Sequence, residues 1–236
     1  MTSQYLPSVE MHPPRTARAA VIWLHGLGAD GHDFESVVPY LGLGDDHAVR
    51  FVFPHAPRIP VTINGGMVMP AWYDILEMDL ERRADLAGVQ RSAAQVVKLL
   101  DREGERGIPP EHVVVAGFSQ GGAVALYLGP RHPQRLAGVM ALSTYLVSAD
   151  TLPTERSEAN RETPFFMAHG EVDPMVPFTA GKAARDVLHG MDYEVEWHAY
   201  PMAHQVCLEE LEAIGGWLRR VLPPDSLGRN LSAQGA

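Results

Sequence analysis

The run VVVAGFSQGGA at 113–123 constrains the fold of this chain more than any other stretch. It begins with small or β-branched apolar residues, which favour a buried strand, and ends with small residues that suit a helix packed closely on a sheet. Between them lies a G-x-S-x-G pattern, which is typical of a nucleophile elbow, a sharp turn that holds a serine hydroxyl above the sheet edge. The run therefore predicts a strand, a tight turn carrying Ser119 and a helix.

The elbow pattern alone leaves a second interpretation open, in which the turn is glycine-rich and its serine is passive. A serine hydroxyl is a weak nucleophile unless a neighbouring base removes its proton. Where such an elbow is catalytic, an acidic residue and a histidine follow the serine in chain order, each in a loop after a strand. The positions of the later aspartates and histidines therefore distinguish the two interpretations.

Asp173 and His204 are the residues that meet this condition. Asp173 directly follows a predicted buried strand at 164–169, whereas the other aspartates after Ser119 lie in or after helices, in a polar excursion or near the end of the chain. His204 lies in the loop between the last predicted strand and the last predicted helix. We expect Ser119 to attack an acyl carbonyl, His204 to accept and return the proton, and Asp173 to orient the imidazole.

The negative oxygen that develops during such an attack needs backbone N–H donors. One donor is expected from the residue after the nucleophile, Gln120, and the other from a loop that follows an earlier strand. The loop GLGADG at 26–31 follows the predicted strand at 19–25, and its Leu27 N–H is the predicted second donor. We interpret His25 as a structural residue that bonds the loop backbone, rather than as a base.

Buried apolar runs and amphipathic segments alternate along the chain. Strands of a parallel sheet are predicted at 19–25, 49–54, 113–118, 137–143 and 164–169, with a more exposed strand at 193–200. Helices are predicted after an Asp33 cap, at 81–103, at 122–127, at 178–191 and at 206–222. This alternation predicts one α/β domain over 1–222, with a mostly parallel central sheet flanked by helices. The polar residues 223–236 are predicted to form a disordered tail.

The irregular stretch at 55–79 interrupts the alternation. Long ordered loops are commonly lids or binding loops, and the apolar residues of this stretch argue against disorder. A small hairpin that caps the core is an equally good interpretation. The fold is therefore expected to carry either a lid-like loop or a hairpin at this place.

Composition excludes several classes of protein. The formal net charge of −10 argues against binding to nucleic acid or to an anionic membrane surface. No apolar run is long enough for a transmembrane segment, and the first residues lack the pattern of a secretory signal. The single cysteine, Cys207, excludes a disulfide within the chain and is typical of a reducing compartment, so a cytoplasmic location is expected.

With these residues in place, the sequence resembles the phospholipase/carboxylesterase family of α/β-hydrolases, which includes acyl-protein thioesterases. The similar motifs cover nearly the whole chain in order: WLHGLGADG at 23–31, PHAP at 54–57, NGGMVMPAWYD at 64–74, GFSQGGA at 117–123, HG at 169–170, DPMVP at 173–177 and YPMAH at 200–204. The MVMPAWYD and DPMVP stretches are more specific to this family than the elbow.

The resemblance implies an α/β-hydrolase fold and cleavage of carboxylic esters without a cofactor or metal; some relatives cleave thioesters of S-acylated proteins. It also implies that residues 55–74 border an acyl-binding channel. Flexible methionines suit a chain of variable shape, although ordinary core filling explains them equally well. The residues predicted to bind substrate are Ile59, Val61, Met67, Met69, Trp72, Met175 and Met202.

Our main hypothesis is a serine carboxylesterase that acts on small-molecule esters with short to medium acyl chains. The alternative is an acyl-protein thioesterase or lysophospholipase, and a non-catalytic binding protein on the same fold is a weaker alternative. Family members often form weak homodimers, and an exposed apolar lid is compatible with one. Some relatives carry an N-terminal cysteine that can be lipidated, but residues 1–20 contain none.

Overall fold

The computed structural model describes residues 5–76 and 85–228 of the chain. Within these ranges, the strands in chain order are β1 Ser8–Met11, β2 Ala19–Leu24, β3 Val49–Pro54, β4 Arg58–Val61, β5 Met67–Pro70, β6 Val113–Phe118, β7 Gly138–Leu142, β8 Phe165–Gly170 and β9 Val195–Tyr200. Seven of them form one sheet in the order β1-β3-β2-β6-β7-β8-β9. Strand β1 pairs antiparallel with β3, and every other pairing in this sheet is parallel.

The central strands are buried on both faces, which explains their continuous apolar sequences. Every residue of β2, β7 and β8 is buried. Successive side chains of a strand point to opposite faces, so Ile22 and Trp23 of β2 belong to two separate apolar clusters, one on each side of the sheet. The predicted mostly parallel sheet is confirmed, and its six predicted strands lie within one or two residues of the observed bounds.

Five α-helices occur in the described ranges: α1 Leu86–Glu105, α2 Gln120–Leu128, α3 Leu152–Glu155, α4 Phe178–His189 and α5 Leu208–Val221. Helix α1 begins at Leu86 because the Asp85 side chain accepts a hydrogen bond from the N–H of Gly88 over 2.8 Å, which caps the helix. The prediction that this helix starts at residue 81 falls partly on residues 77–84, which lie outside the described ranges. None of the described helices is both long and apolar enough to cross a membrane.

The helix predicted after Asp33 is a 3-10 helix, Glu35–Leu41, rather than an α-helix. Pro39 lies inside it, and a proline ring lacks the N–H that a longer α-helical ladder would need. The predicted cap is wrong, because Phe34 occupies the N-terminal cap position and no side chain caps the helix. The carboxylate of Asp33 therefore does not cap this helix.

The irregular stretch before α1 contains the hairpin that was one of its two interpretations. Strands β4 and β5 pair antiparallel, and a short 3-10 turn, Thr62–Asn64, followed by Gly65 and Gly66, connects them. Both glycines have positive φ, of 65° and 78°, which side chains rarely adopt. The N–H of Gly28 donates to the carbonyl of Pro70 over 2.9 Å, which attaches the end of the hairpin to the loop after β2.

The ordered chain extends beyond the predicted domain boundary at residue 222. A 3-10 turn, Pro224–Ser226, packs against the loop before β3, where the N–H of Ala48 donates to the carbonyl of Ser226 over 2.7 Å. The N–H of Gly228 donates to the carbonyl of Leu43 over 2.9 Å. Residues 223–228 are therefore part of the folded unit, which differs from the disordered tail predicted over 223–236; residues 229–236 lie outside the described residues.

Candidate active site

Ser119 lies between the last residue of β6 and the first residue of α2, in a backbone conformation with φ 54° and ψ −119°. A positive φ is strained for a residue with a side chain, so the surroundings must hold it in place. The N–H of Ser119 donates to the carbonyl of Leu142 on β7 over 2.8 Å. The carbonyl of Ser119 accepts from the N–H of Ala123 over 3.1 Å and from the hydroxyl of Thr144 over 2.6 Å.

The glycines on either side of the serine are required by close packing of the turn. A Cβ added to Gly121 would lie 2.5 Å from the carbonyl oxygen of Leu24 and 2.7 Å from that of His25. A Cβ added to Gly117 would overlap the backbone of Gly121. The first turn of α2 can therefore approach the end of β2 only because both positions lack a side chain, which confirms the predicted strand, turn and helix.

The three residues predicted to act together meet at one edge of the sheet. The hydroxyl of Ser119 lies 2.9 Å from Nε2 of His204, and Nδ1 of His204 lies 2.6 Å from Oδ2 of Asp173. With its proton on Nδ1, the imidazole donates to the carboxylate and accepts from the serine hydroxyl. Residues separated by up to 85 positions in the chain thus form one continuous line of hydrogen bonds.

The loop after β8 fixes the carboxylate of Asp173. Its Oδ1 accepts hydrogen bonds from the N–H groups of Met175 and Val176 over 2.8 and 2.9 Å, while Oδ2 faces His204. The buried His169 donates from Nε2 to the carbonyl of Val176 over 3.0 Å and lies 3.6 Å from Oδ2 of Asp173. Burial lowers the pKa of His169, so a neutral imidazole supports this loop.

The loop after β2 approaches the serine from the opposite side. His25 is buried and donates from Nδ1 to the carbonyl of Gly26 over 2.7 Å, while its Nε2 accepts from the N–H of Ala56 over 3.1 Å. Burial lowers the pKa of His25, which keeps the ring neutral and able to do both. The interpretation of His25 as a residue that bonds the loop backbone is confirmed.

Leu27 and Gln120 both line the cavity that contains Ser119. In the part of the chain that the structure describes, backbone hydrogen bonds in this region engage the N–H groups of Gly28 and Ser119 but not those of Leu27 and Gln120. Gln120 is the first residue of α2, where the partial positive charge of a helix N-terminus favours a negative oxygen. These two N–H groups remain our predicted oxyanion donors.

The cavity at Ser119 has a volume of about 230 Å³. Besides the residues already placed there, its wall includes Asp33, Ile75, Phe118, Tyr145, Met175 and Val176. The hydroxyls of Tyr145 and Tyr73 lie 2.6 Å apart, and burial raises the pKa of Tyr145 to about 12, so this ring presents an uncharged face. A larger cavity of about 540 Å³ lies between α4 and the segment after β7, away from Ser119.

Of the seven residues predicted to bind substrate, Met175 lines this cavity. Met67 is exposed on the hairpin, and Ile59 and Met69 are half-buried in it. Val61 and Met202 are buried in the protein interior. Trp72 packs behind the loop after β2, where its indole N–H donates to the carbonyl of His25 over 2.8 Å.

Ile75, Tyr145, Val176 and Asp33 line the cavity but were absent from the predicted set. Two signals could have indicated some of them. Residues that follow the carboxyl ends of adjacent parallel strands converge in space, and Tyr145 follows β7 in this way. Val176 lies three positions after Asp173 in the same loop. Asp33 and Ile75 reach the cavity only through the tertiary arrangement of their loops.

Known proteins provide independent evidence. A family model described as phospholipase/carboxylesterase matches residues 8–222. Acyl-protein thioesterase 1 of Neurospora crassa is 43% identical over 229 residues, which cover 92% of this chain and 91% of the relative. Acyl-protein thioesterase 1 of Gibberella zeae is 40% identical over 215 residues, which cover 87% of this chain and 92% of the relative.

Solved structures agree with these sequence relationships. SOBER1 of Arabidopsis thaliana has a TM-score of 0.81 and 32% identity, and the match covers 87% of this chain and 99% of SOBER1. Acyl-protein thioesterase 2 of Zea mays has a TM-score of 0.80 and 29% identity, and the match covers 93% of this chain and the whole of that chain.

The parallel sheet, the elbow and the residues that meet at its edge define a serine hydrolase with the α/β-hydrolase fold. The chain belongs to the phospholipase/carboxylesterase family. It is thus an enzyme of the class that hydrolyses esters and thioesters of carboxylic acids.

Proposed function

We infer that this enzyme hydrolyses carboxylic esters with short to medium acyl chains, through an acyl-enzyme formed on Ser119. The observation that carries this proposal is the line of hydrogen bonds from Ser119 through His204 to Asp173, with distances of 2.9 and 2.6 Å. Both distances lie within the range expected for a nucleophile, its base and the residue that orients the base. The mainly apolar wall of the adjacent cavity suits an acyl chain.

The reaction follows from the positions of these groups. Oγ of Ser119 attacks the acyl carbon while Nε2 of His204 takes the hydroxyl proton, and the carboxylate of Asp173 stabilises the imidazolium. The N–H groups of Leu27 and Gln120 stabilise the negative oxygen of the tetrahedral intermediate. His204 then protonates the leaving alcohol or thiol, and a water molecule, activated by the same imidazole, releases the acid and restores the serine.

Hydrolysis of p-nitrophenyl acetate, butyrate and octanoate tests this proposal. We expect Ser119→Ala and His204→Ala each to lower kcat by about 10³-fold or more, because neither residue functions without the other. His189→Ala is the matched control, since His189 is exposed at the end of α4 and is not among the residues that line the cavity. Wild-type hydrolysis at the uncatalysed rate would reject the proposal.

A binding protein with an inactive triad is distinguished by covalent labelling. A fluorophosphonate reacts with a serine only when the adjacent base activates it, so we expect stoichiometric labelling at Ser119. The label should be absent from Ser119→Ala and unchanged in His189→Ala. A wild-type protein that stays unlabelled while a known serine hydrolase in the same sample reacts would favour the binding protein.

A thioesterase acting on S-acylated proteins is the second candidate, together with lysophospholipase activity. The relatives with 43% and 40% identity are named acyl-protein thioesterases, which favours the thioesterase. An S-palmitoylated peptide, a lysophospholipid and p-nitrophenyl octanoate would be compared as competitors at the same active site. The highest kcat/KM identifies the substrate class, and a clear advantage for the simple ester would reject the second candidate.

We also propose a cytoplasmic location and leave a weak homodimer as a hypothesis for solution study. The single cysteine and the absence of a membrane-spanning helix in the described ranges are compatible with that location. Fluorescence microscopy of a tagged full-length chain would test it. Sedimentation velocity over a range of protein concentrations would test the homodimer, and a constant monomer value would reject it.

A further inference from the structure

Asp33 places a carboxylate in the wall of the cavity that contains Ser119. Its backbone N–H donates to the carbonyl of Asp30 over 3.1 Å, but its side chain makes no hydrogen bond or ion pair with any residue that the structure describes. No lysine or arginine is among the described residues that line this cavity. Asp33 is thus the one carboxylate among the described residues that line this cavity.

Asp33 is a solvent-exposed residue of the cavity wall. Asp33 is exposed as a residue, yet burial of its carboxyl group and the nearby negative charge of Asp30 raise the pKa of Asp33. An ionised Asp33 is thus held at a cost that no cation of the described chain offsets. A negative Asp33 also repels the negative oxygen that the proposed reaction develops beside Leu27, in the same loop region.

The residues of the cavity wall suit two different parts of the substrate. Ile75, Tyr145, Met175 and Val176 form an apolar surface that suits the acyl chain. An acyl chain on that surface leaves Asp33, the charged and exposed residue of the wall, to the alcohol or thiol part of the substrate. The group that could offset the negative charge of Asp33 would therefore belong to the leaving group.

We propose that Asp33 makes this enzyme select esters and thioesters whose leaving group carries a positive charge. This inference rests on the proposed hydrolase function and specifies its substrate class. The shared chemistry is a cation close to the scissile bond, such as a quaternary ammonium group or a protonated lysine side chain. A cation next to Asp33 attracts the substrate and lowers the cost of developing negative charge at the oxyanion donors.

The experiment compares two esters that differ in charge but not in shape. Butyrylcholine has a quaternary nitrogen, and 3,3-dimethylbutyl butyrate has a carbon in its place. Each kcat/KM is divided by the uncatalysed hydrolysis rate of the same ester, because the ammonium group also activates its ester. At pH 8 and low salt we expect this normalised value for the wild type to be about three- to tenfold higher for the cationic ester, because the carboxylate is partly solvated. The ratio should decrease in 0.5 M sodium chloride, since salt screens exposed charges.

Asp33→Asn should lower this ratio to about one, because the amide keeps the shape of the side chain and removes its charge. Asp33→Glu should retain part of the preference. Asp30→Asn is the matched control: Asp30 is an exposed neighbour that is not part of the cavity wall and accepts a hydrogen bond from the N–H of His32 over 2.8 Å. Its asparagine can still accept that bond, so the ratio should stay near the wild-type value.

The outcomes separate this inference from the function on which it rests. A wild type that hydrolyses both esters equally, at low and high salt, would overturn the role of Asp33 and leave the hydrolase intact. Hydrolysis of neither ester, nor of p-nitrophenyl butyrate, would instead contradict the function. A second pair of substrates is an S-butyrylated cysteine peptide with a neighbouring lysine and the same peptide with norleucine instead. A higher kcat/KM for the lysine peptide would show that the preference for a cationic leaving group extends from a choline group to a peptide. Loss of the preference equally in Asp33→Asn and Asp30→Asn would also overturn the proposal.

Discussion

The side chain of Gln120 accepts a hydrogen bond from the backbone N–H of Trp72 over 2.8 Å. Its amide nitrogen donates to the carbonyl of Tyr73 over 2.7 Å. The hydroxyl of Ser92 on α1 donates to the carbonyl of Trp72. The residue that follows Ser119 therefore holds the segment after β5, and the indole of Trp72 in turn supports the loop after β2 through the carbonyl of His25.

Replacing Gln120 by glutamate tests this connection. The change removes the donor to Tyr73 and places a carboxylate in a buried position, so we expect the free energy of unfolding to decrease by about 1–3 kcal/mol. The kcat should also fall, because the loop after β2 loses part of its support. Urea unfolding measures the first effect. Gln90→Glu, at an exposed position of α1, should change stability by less than about 0.5 kcal/mol, and equal losses in both variants would contradict the argument.

Replacing a glycine by alanine should change stability in opposite directions at Gly121, which is closely packed, and at Gly104, which has open space around it. Gly121→Ala forces a Cβ to within 2.5 Å of the carbonyl oxygen of Leu24, so we expect a loss of about 3 kcal/mol or more, or failure to fold. Gly104 lies in α1 with nothing within 4 Å of an added Cβ, and Gly104→Ala should stabilise the protein by about 0.5–1 kcal/mol. Thermal unfolding of the pair measures both. A stable Gly121→Ala with full activity would contradict the close packing at the elbow.

We expect His169 to act as a positioning residue for Asp173, the proposed acid of the triad. His169→Phe removes the hydrogen bond to the carbonyl of Val176, and we expect kcat to fall about tenfold or more while KM changes little, since small displacements of a catalytic group are costly. His169→Gln, which can still donate, should recover part of the rate. His198→Phe on β9 is the control, and an unchanged kcat in His169→Phe would leave only a packing role.

The buried carboxyl group of Glu210 should make the free energy of unfolding decrease as pH rises. It lies buried in the first turn of α5, and neither carboxyl oxygen makes a hydrogen bond of good geometry with the described residues. Burial raises the pKa of Glu210 to about 8, although the nearby backbone of Cys207 offsets part of the effect. The folded protein therefore keeps a proton that the unfolded chain releases near pH 4.5.

Between these two values the folded state binds more protons than the unfolded state, so this residue makes stability fall as pH rises from about 4.5 to 8. Glu210→Gln should remove that slope and raise the free energy of unfolding at pH 8 by about 2–4 kcal/mol relative to the wild type. Urea unfolding at pH 5, 6.5 and 8 measures the slope. Glu209→Gln, its exposed neighbour, should leave the slope unchanged, and a wild type equally stable at the three pH values would refute the assignment.

The parts of the fold that could be predicted from sequence are those with local patterns. The apolar runs predicted the central strands, and the glycines around Ser119 predicted the elbow, because both are consequences of short-range packing. Strand β1 was missed, since Ser8–Met11 is short and half polar and becomes a strand only through pairing with the free edge of β3. The helix after Asp33 was assigned the wrong type because Pro39 outweighed its apolar spacing.

The candidate site shows the same limit. Ser119, Asp173 and His204 could be selected from chain order, because each follows a strand whose carboxyl end reaches the same edge of the sheet. The wall of the cavity could not be selected in this way. Side-chain type identified the methionines as suitable for an acyl chain, but type carries no information on position, and one of the four, Met175, reached the cavity.

The backbone of Ser119 is bonded to β7 through Leu142 and to the segment after β7 through Thr144. Relaxation of the strained φ angle of Ser119 would therefore disturb the hydrogen bonds that join this residue to Leu142 and Thr144. We therefore expect inactivation by heat to coincide with melting of the sheet. The nucleophile of this enzyme should stay competent up to the temperature at which the whole molecule unfolds.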